Sequence, residues 1–268
     1  MYEDLWNGKP LVNITIPDDD LVSGFIFDDA HLADEVIKQD TDLPDNPSLQ
    51  DALAGLEWDS WHAVILEELA TIMDAGTWSL VNHTPDICNV MGCCFVLQKK
   101  CGTGTDRRAT QFKACLVTQG FSQWEGIDYS EMFAPVVKSA SLHVFLAICA
   151  HHGWCIRQMD IKSAYLNGIL SEDIYMWQPK GYEEKGSEGK IAKLWKGLYG
   201  LKQAGWEWYT TLHDFLVQLR FHHTHADHSV FIFEQGSSIV IIPVYVDNKL
   251  LAGNDEVTLN SIQSAISS

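Results

Sequence analysis

The segment SIVIIPVYVDNKLLAG, residues 238–253, gives the clearest indication of the fold. Its first half is rich in Val and Ile, which predicts a β-strand. The run SVFIFE at 229–234 precedes it across the turn QGSS and predicts a neighbouring strand. Asp247-Asn248 follows the strand, and both residue types tolerate turn conformations. The sequence therefore predicts that Asp247 and Asn248 lie where strands end.

Earlier in the chain, the run WCIRQMDI at 154–161 predicts a short strand that ends near Asp160. The runs at 92–100 and 109–120 predict a β-hairpin. Apolar residues recur at helical spacing in three further stretches, namely Trp58 to Met73, Leu142 to Cys149 and Tyr209 to Leu219. The second of these helices is predicted to end before Gly153, a suitable C-terminal stop. This order predicts an α+β fold in which helices cover an antiparallel sheet.

Composition favours a globular, intracellular protein, with a cytoplasmic location as the first expectation. The chain is 46% hydrophobic and contains ten tryptophans and seven cysteines. The sequence contains no secretory signal and no membrane-spanning stretch. It also contains no CxxC pair, which fits reduced thiols. Residues 1–60 hold 15 acidic and two basic residues of a chain with net charge −18. Residues 1–49 are therefore predicted to be an acidic, poorly ordered leader, and the remainder is not basic enough for strong nucleic-acid binding.

Asp160 and the pair Asp247-Asn248 form the candidate constellation for chemistry. Carboxylates at strand ends can share a hard cation such as Mg²⁺, which prefers oxygen ligands. Each feature alone also has an ordinary explanation, because Asp-Asn is common in hairpin turns and Asp is common at strand ends. Residue spacing by itself leaves both readings open.

Long blocks of the sequence resemble one family. They are FKACLVTQGFSQWEGIDYSEMFAPVVK at 112–138, QMDIKSAYLNGIL at 158–170, LWKGLYGLKQA at 194–204 and VYVDNKLLAG at 244–253. In order and spacing they resemble the reverse transcriptases of copia-type retrotransposons, from about residue 50 to about residue 255. The resemblance implies an RNA-directed DNA polymerase, a nucleotidyltransferase, that works on an RNA or DNA template-primer and deoxynucleoside triphosphates.

The same resemblance implies a right-hand polymerase architecture. Residues 50–150 would form the fingers region and residues 151–268 the palm, with the chain ending before a thumb. Asp160 and Asp247 match the family's metal-binding aspartates, and the implied cofactor is a pair of Mg²⁺ ions, with Mn²⁺ as an alternative. Asn248 completes the expected catalytic set.

Four further positions carry over as expected substrate contacts. Tyr165 resembles the aromatic gate against a ribose 2′-hydroxyl, or else is a core aromatic. Gln203 resembles a residue of the nucleotide pocket, or else is a polar residue at a helix start. Lys113 resembles a triphosphate contact, or else is an exposed hairpin lysine with no specific role. Tyr245 precedes the metal-binding hairpin.

The sequence also departs from the family pattern. Asn248 stands where the family has a second aspartate, which removes a charge from the implied ion site. Cys115, His143 and the pair Gly205-Trp206 replace residues that are basic or rigid in the family. These losses predict a degenerate copy with weak or no polymerase activity. The alternative is a non-enzymatic remnant that binds nucleic acid or another subunit.

Overall fold

The computed structural model describes residues 46–101, 109–130 and 132–267. The acidic leader predicted at 1–49 therefore lies outside the described residues except at its C-terminal end. Within the described ranges the chain forms two compact units. The first unit holds residues 135–162 and those from 212 onwards, and the second holds the residues up to 134 together with 163–211.

The described part of the chain forms five helices and ten strands. The helices are α1 (Leu49–Ala54), α2 (Trp58–Asp74), α3 (Ser139–His152), α4 (Ala204–Gln218) and α5 (Glu256–Ser267). The strands are β1 (Trp78–Asn82), β2 (Cys93–Cys101), β3 (Ala109–Thr118), β4 (Ile156–Asp160), β5 (Ile169–Trp177), β6 (Lys190–Lys196), β7 (His222–His223), β8 (Val230–Gln235), β9 (Ser238–Tyr245) and β10 (Asn248–Gly253). Single 3₁₀ turns lie at Gly120–Ser122 and Ala164–Asn167.

The first unit is built on a five-stranded antiparallel sheet in the order β4-β10-β9-β8-β7. Helix α3 packs on it through Phe145 and Cys149, which share a buried cluster with Ile241 and Leu250. The helix ends where the sequence predicts, because Gly153 adopts φ 66° and its backbone N–H bonds to the carbonyl of Cys149. The sheet places the two strands that end at Asp160 and begin at Asn248 side by side.

The second unit contains a three-stranded antiparallel sheet, in the order β1-β6-β5, and the β2-β3 hairpin. Helix α2 presents Trp61 and Ile65 to the interior, where both are buried with Leu116 of β3. The ring of Trp61 meets Phe112 edge to face at 4.6 Å. Burial of these large apolar side chains is the main source of stability in this unit.

The predicted α+β class with antiparallel strands is confirmed. The hairpin at 92–120 forms as predicted, although its tip lies outside the described residues. The compact units do not follow the predicted segments 50–150 and 151–268, because the first unit takes in residues 135–162 and the second resumes at 163. The division into fingers and palm stays a prediction.

Candidate active site

The two predicted metal ligands lie at the ends of neighbouring strands. Strands β4 and β10 are antiparallel, and their register places Asp160 opposite Asn248. The backbone N–H of Ile161 donates to the backbone carbonyl of Asp247 at 3.1 Å. Asp160 is exposed and Asp247 is half-buried. The structure therefore brings both aspartates to one end of the sheet, while their role as metal ligands stays a prediction.

A tight turn joins β9 to β10 at this site. Tyr245 pairs with Asn248, so the turn consists of Val246 and Asp247 and lies one residue earlier than the Asp247-Asn248 pair suggested. Val246 has φ 54°, a left-handed conformation that is strained for a β-branched residue. Such strain persists only where the surrounding structure imposes it, and it is frequent at functional sites. The strands on either side fix this turn and hence the position of Asp247.

Tyr245 packs against the buried cluster of the first unit that includes Leu250. Its side chain therefore helps to anchor the end of β9 beside the turn. The contact with substrate that the resemblance implies for Tyr245 stays a prediction.

The amide nitrogen and the amide oxygen of Asn248 each form a hydrogen bond. Its Nδ2 donates to Oδ1 of Asp247 at 3.0 Å, and its Oδ1 accepts from Nε2 of Gln158 at 3.4 Å. A carboxylate at this position could not donate to Asp247, because an ionised carboxylate only accepts hydrogen bonds. The amide therefore uses one oxygen of Asp247 and adds no negative charge to the site.

Lys249 is a member of the site that the sequence reading missed. It is fully buried, and its Nζ donates to the backbone carbonyl of Asp247 at 3.1 Å. Burial lowers the pKa of Lys249 to about 8, while the negative charges of Asp247 and Asp160 act in the opposite direction. The only signal in the sequence was a lysine at the start of the otherwise apolar run KLLAG.

The residues at the site do not fit the two divalent cations that the resemblance implies. A hard cation needs oxygen ligands that carry compensating negative charge. Asp160 and Asp247 supply two carboxylates, Asn248 supplies a neutral amide and Lys249 supplies a positive charge. Among residues 46–101, 109–130 and 132–267, no group of three or more His, Cys, Asp or Glu side chains is arranged to hold a metal ion.

Gln203, the predicted nucleotide-pocket residue, belongs to the second unit and is only 1% exposed. Its Nε2 donates to the backbone carbonyl of Asp128 at 2.6 Å, and its Oε1 accepts from Nε2 of Gln123 at 2.9 Å. The Oε1 of Gln123 accepts in turn from the backbone N–H of Lys202 at 2.8 Å. This network supports the structural alternative for Gln203, and the nucleotide contact stays a prediction.

Tyr165 and Lys113 also belong to the second unit. Tyr165 is half-buried in the 3₁₀ turn, where its ring meets that of Tyr199 edge to face at 4.8 Å. Lys113 is exposed on β3, and its charge favours ionisation of Glu68, although burial raises the pKa of Glu68 overall. The substrate contacts expected of Tyr165 and Lys113 stay predictions.

Comparison with known proteins gives the class of this chain. Residues 75–268 match the profile of the family described as reverse transcriptase (RNA-dependent DNA polymerase), and the chain belongs to that family. The copia-type resemblance is confirmed by relatives that are retrovirus-related Pol polyproteins. The polyprotein from transposon RE2 of Arabidopsis thaliana is 35% identical over 85% of this chain, and that from transposon RE1 of the same plant is 37% identical over 78%. The polyprotein from transposon TNT 1-94 of Nicotiana tabacum is 34% identical over 82%.

The chain spans only 14–16% of the length of these relatives. Members of the reverse transcriptase family generally use divalent metal ions and bind template-primer and deoxynucleoside triphosphates. None of the helices in the described part of the chain has the length and apolar character to cross a membrane.

Proposed function

We propose that this chain is the RNA-directed DNA polymerase domain of a copia-type retrotransposon polyprotein and that its own polymerase activity is weak or absent. The observation that carries this proposal is the position of Asn248. Its register partner is Asp160, and its amide donates to Asp247. The neutral amide thus bonds to one of the two carboxylates on which the family's chemistry depends and belongs to the register partner of the other.

The reaction expected of the family is attack of a primer 3′-hydroxyl on the α-phosphate of a deoxynucleoside triphosphate. Divalent cations, with Mg²⁺ as the proposed ion and Mn²⁺ as an alternative, stabilise the attacking and leaving oxygens in such reactions. In this chain Asp160 and Asp247 are the groups that would hold a remaining cation. Asn248 is neutral and does not supply a third negative charge. Because charge neutralisation dominates this kind of catalysis, the rate of primer extension should be low.

The nucleotide contacts assigned by resemblance are part of the same proposal. Tyr165 and Lys113 are accessible enough to meet a substrate, because one is half-buried and the other exposed. Gln203 could act in the pocket only after giving up its bonds to Asp128 and Gln123. Tyr245 would act through its place beside the turn that carries Asp247.

The non-enzymatic alternative receives less support, because several basic side chains are already engaged. Lys99 pairs with Glu57 at 2.9 Å, and Lys193 pairs with Asp173 at 2.7 Å. Nucleic-acid binding depends on cations that are available to phosphates and weakens as salt rises. A filter-binding titration over a salt series tests the alternative, and salt-dependent binding without any primer extension would favour it.

A primer-extension assay with Mg²⁺ or Mn²⁺ tests the proposal. The unmodified chain should extend a primer weakly or not at all, and Asn248→Asp should increase extension. The matched control is Ser237→Asp, which adds the same charge at an exposed position in the turn between β8 and β9, at the end of β9 away from Asp247. Robust extension by the unmodified chain would contradict the proposal, and equal gains in the two variants would show that the position of the carboxylate is unimportant.

A further inference from the structure

Lys249 combines complete burial with a position beside the candidate catalytic carboxylates. It is the second residue of β10, and its register partners are Met159 of β4 and Val244 of β9. Both neighbours are apolar, and Lys249 has an exposed fraction of 0%. A lysine is almost never fully buried unless its ammonium group is paired, because removing the charge from water is costly. The surroundings of Lys249 must therefore supply compensating negative groups.

The compensating groups are those of the candidate active site. The ammonium donates to the backbone carbonyl of Asp247, which lies in the turn between β9 and β10. The carboxylates of Asp160 and Asp247 both interact electrostatically with Lys249. Lys249 thus brings a positive charge to the turn that carries Asp247, within electrostatic reach of both carboxylates.

We infer that the ammonium of Lys249 is a built-in cation that takes the place of a divalent metal ion at this site. The inference rests on the proposed function, since it explains the low activity by a second cause besides Asn248. Two carboxylates and one ammonium leave a formal charge of −1 at the site. Removing the ammonium or adding a carboxylate at position 248 gives −2, and making both changes gives −3. Divalent-cation affinity should rise in that order.

Burial gives this cation an advantage over a metal ion in solution. Charges in a low-dielectric interior interact more strongly than exposed charges, which water and salt screen. The covalent attachment also keeps the ammonium at the site without any loss of translational freedom on binding. The hairpin that carries Asp247 should therefore keep its conformation without added metal.

The test is direct binding of Mn²⁺, followed by the electron paramagnetic resonance signal of the free ion and by calorimetry. Lys249→Met removes the charge and retains an unbranched apolar side chain of similar length. This variant should bind Mn²⁺ at least about tenfold more tightly than the unmodified chain, a change of about 1.4 kcal/mol. Lys249→Ile, a second neutral variant, should show the same gain, so that a folding defect in one does not decide the result.

Lys162→Met is the matched control. It removes the same formal charge two residues after Asp160, but Lys162 is exposed. Its effect on Mn²⁺ affinity should stay below about threefold because solvent screens an exposed charge. Equal gains for Lys162→Met and the Lys249 variants would overturn the inference, and so would the absence of any gain in two folded Lys249 variants.

The variant Asn248→Asp separates this inference from the proposed function. If Asn248→Asp alone binds Mn²⁺ as tightly as the double variant with Lys249→Met, the role assigned to Lys249 is wrong and the proposed function stands. If the Lys249 variants gain affinity while the unmodified chain extends primers robustly, the proposed function fails and the internal cation stands.

Discussion

Replacing Gln203 by alanine distinguishes a structural amide from a nucleotide contact. Gln203 is 1% exposed and bonds to Asp128 and Gln123 at 2.6 and 2.9 Å. Gln203→Ala leaves the carbonyl of Asp128 and the Nε2 of Gln123 without this partner. Each buried polar group left unsatisfied costs about 1–3 kcal/mol. The free energy of unfolding should therefore fall by about 2–6 kcal/mol.

Urea unfolding followed by tryptophan fluorescence and far-ultraviolet circular dichroism measures this loss. The control is Gln158→Ala, since Gln158 is exposed and has one long bond of 3.4 Å to Asn248. Its effect should stay within about 0.5 kcal/mol, as is usual for surface positions. A loss below about 1 kcal/mol for Gln203→Ala would refute the structural argument and return Gln203 to the nucleotide pocket.

Three other predictions follow from single positions. Burial raises the pKa of Glu68, so the unmodified chain loses stability as pH rises through that pKa. Glu68→Gln has no such ionisation, so the melting temperature of this variant minus that of the unmodified chain should increase from mildly acidic to neutral pH. Val246→Gly should change the free energy of unfolding by less than about 1 kcal/mol, because the lost contacts are offset by relief of strain at φ 54°. Val244→Gly, at a buried strand position, should cost about 3 kcal/mol or more in the same urea titration. Burial raises the pKa of Cys149 to about 11. Iodoacetamide should therefore label the exposed Cys155 much faster than Cys149, as measured by mass spectrometry. Equal labelling rates would contradict the packing described for α3.

Much of the fold was predictable because its signals are local. The Val- and Ile-rich runs predicted β8 and β9, and the apolar spacing predicted α3 with its end at Gly153. These patterns reflect backbone preferences and the period of side-chain burial, which neighbours in sequence determine. The family also followed from the sequence alone, because long ordered blocks carry it.

The composition of the candidate site was predictable only in part. The positions of Asp160 and Asp247 at strand ends were visible in the sequence, and the β4-β10 register places them together. The turn itself was misplaced by one residue, since Val246 occupies a conformation that its residue type disfavours. Local propensity gives the wrong answer where the pairing of two strands imposes the backbone conformation.

The family, helices α2, α3 and α4, strands β2, β3, β4, β8 and β9, and the loss of a carboxylate at Asn248 could all be predicted from the sequence. The burial of Lys249 against the turn that carries Asp247, and the enclosure of the Gln203 amide by other polar groups, became visible only in the folded chain. The physical reason is that burial and electrostatic pairing depend on which distant segments cover a side chain. A lysine in a strand has the same local pattern whether its face meets water or the core.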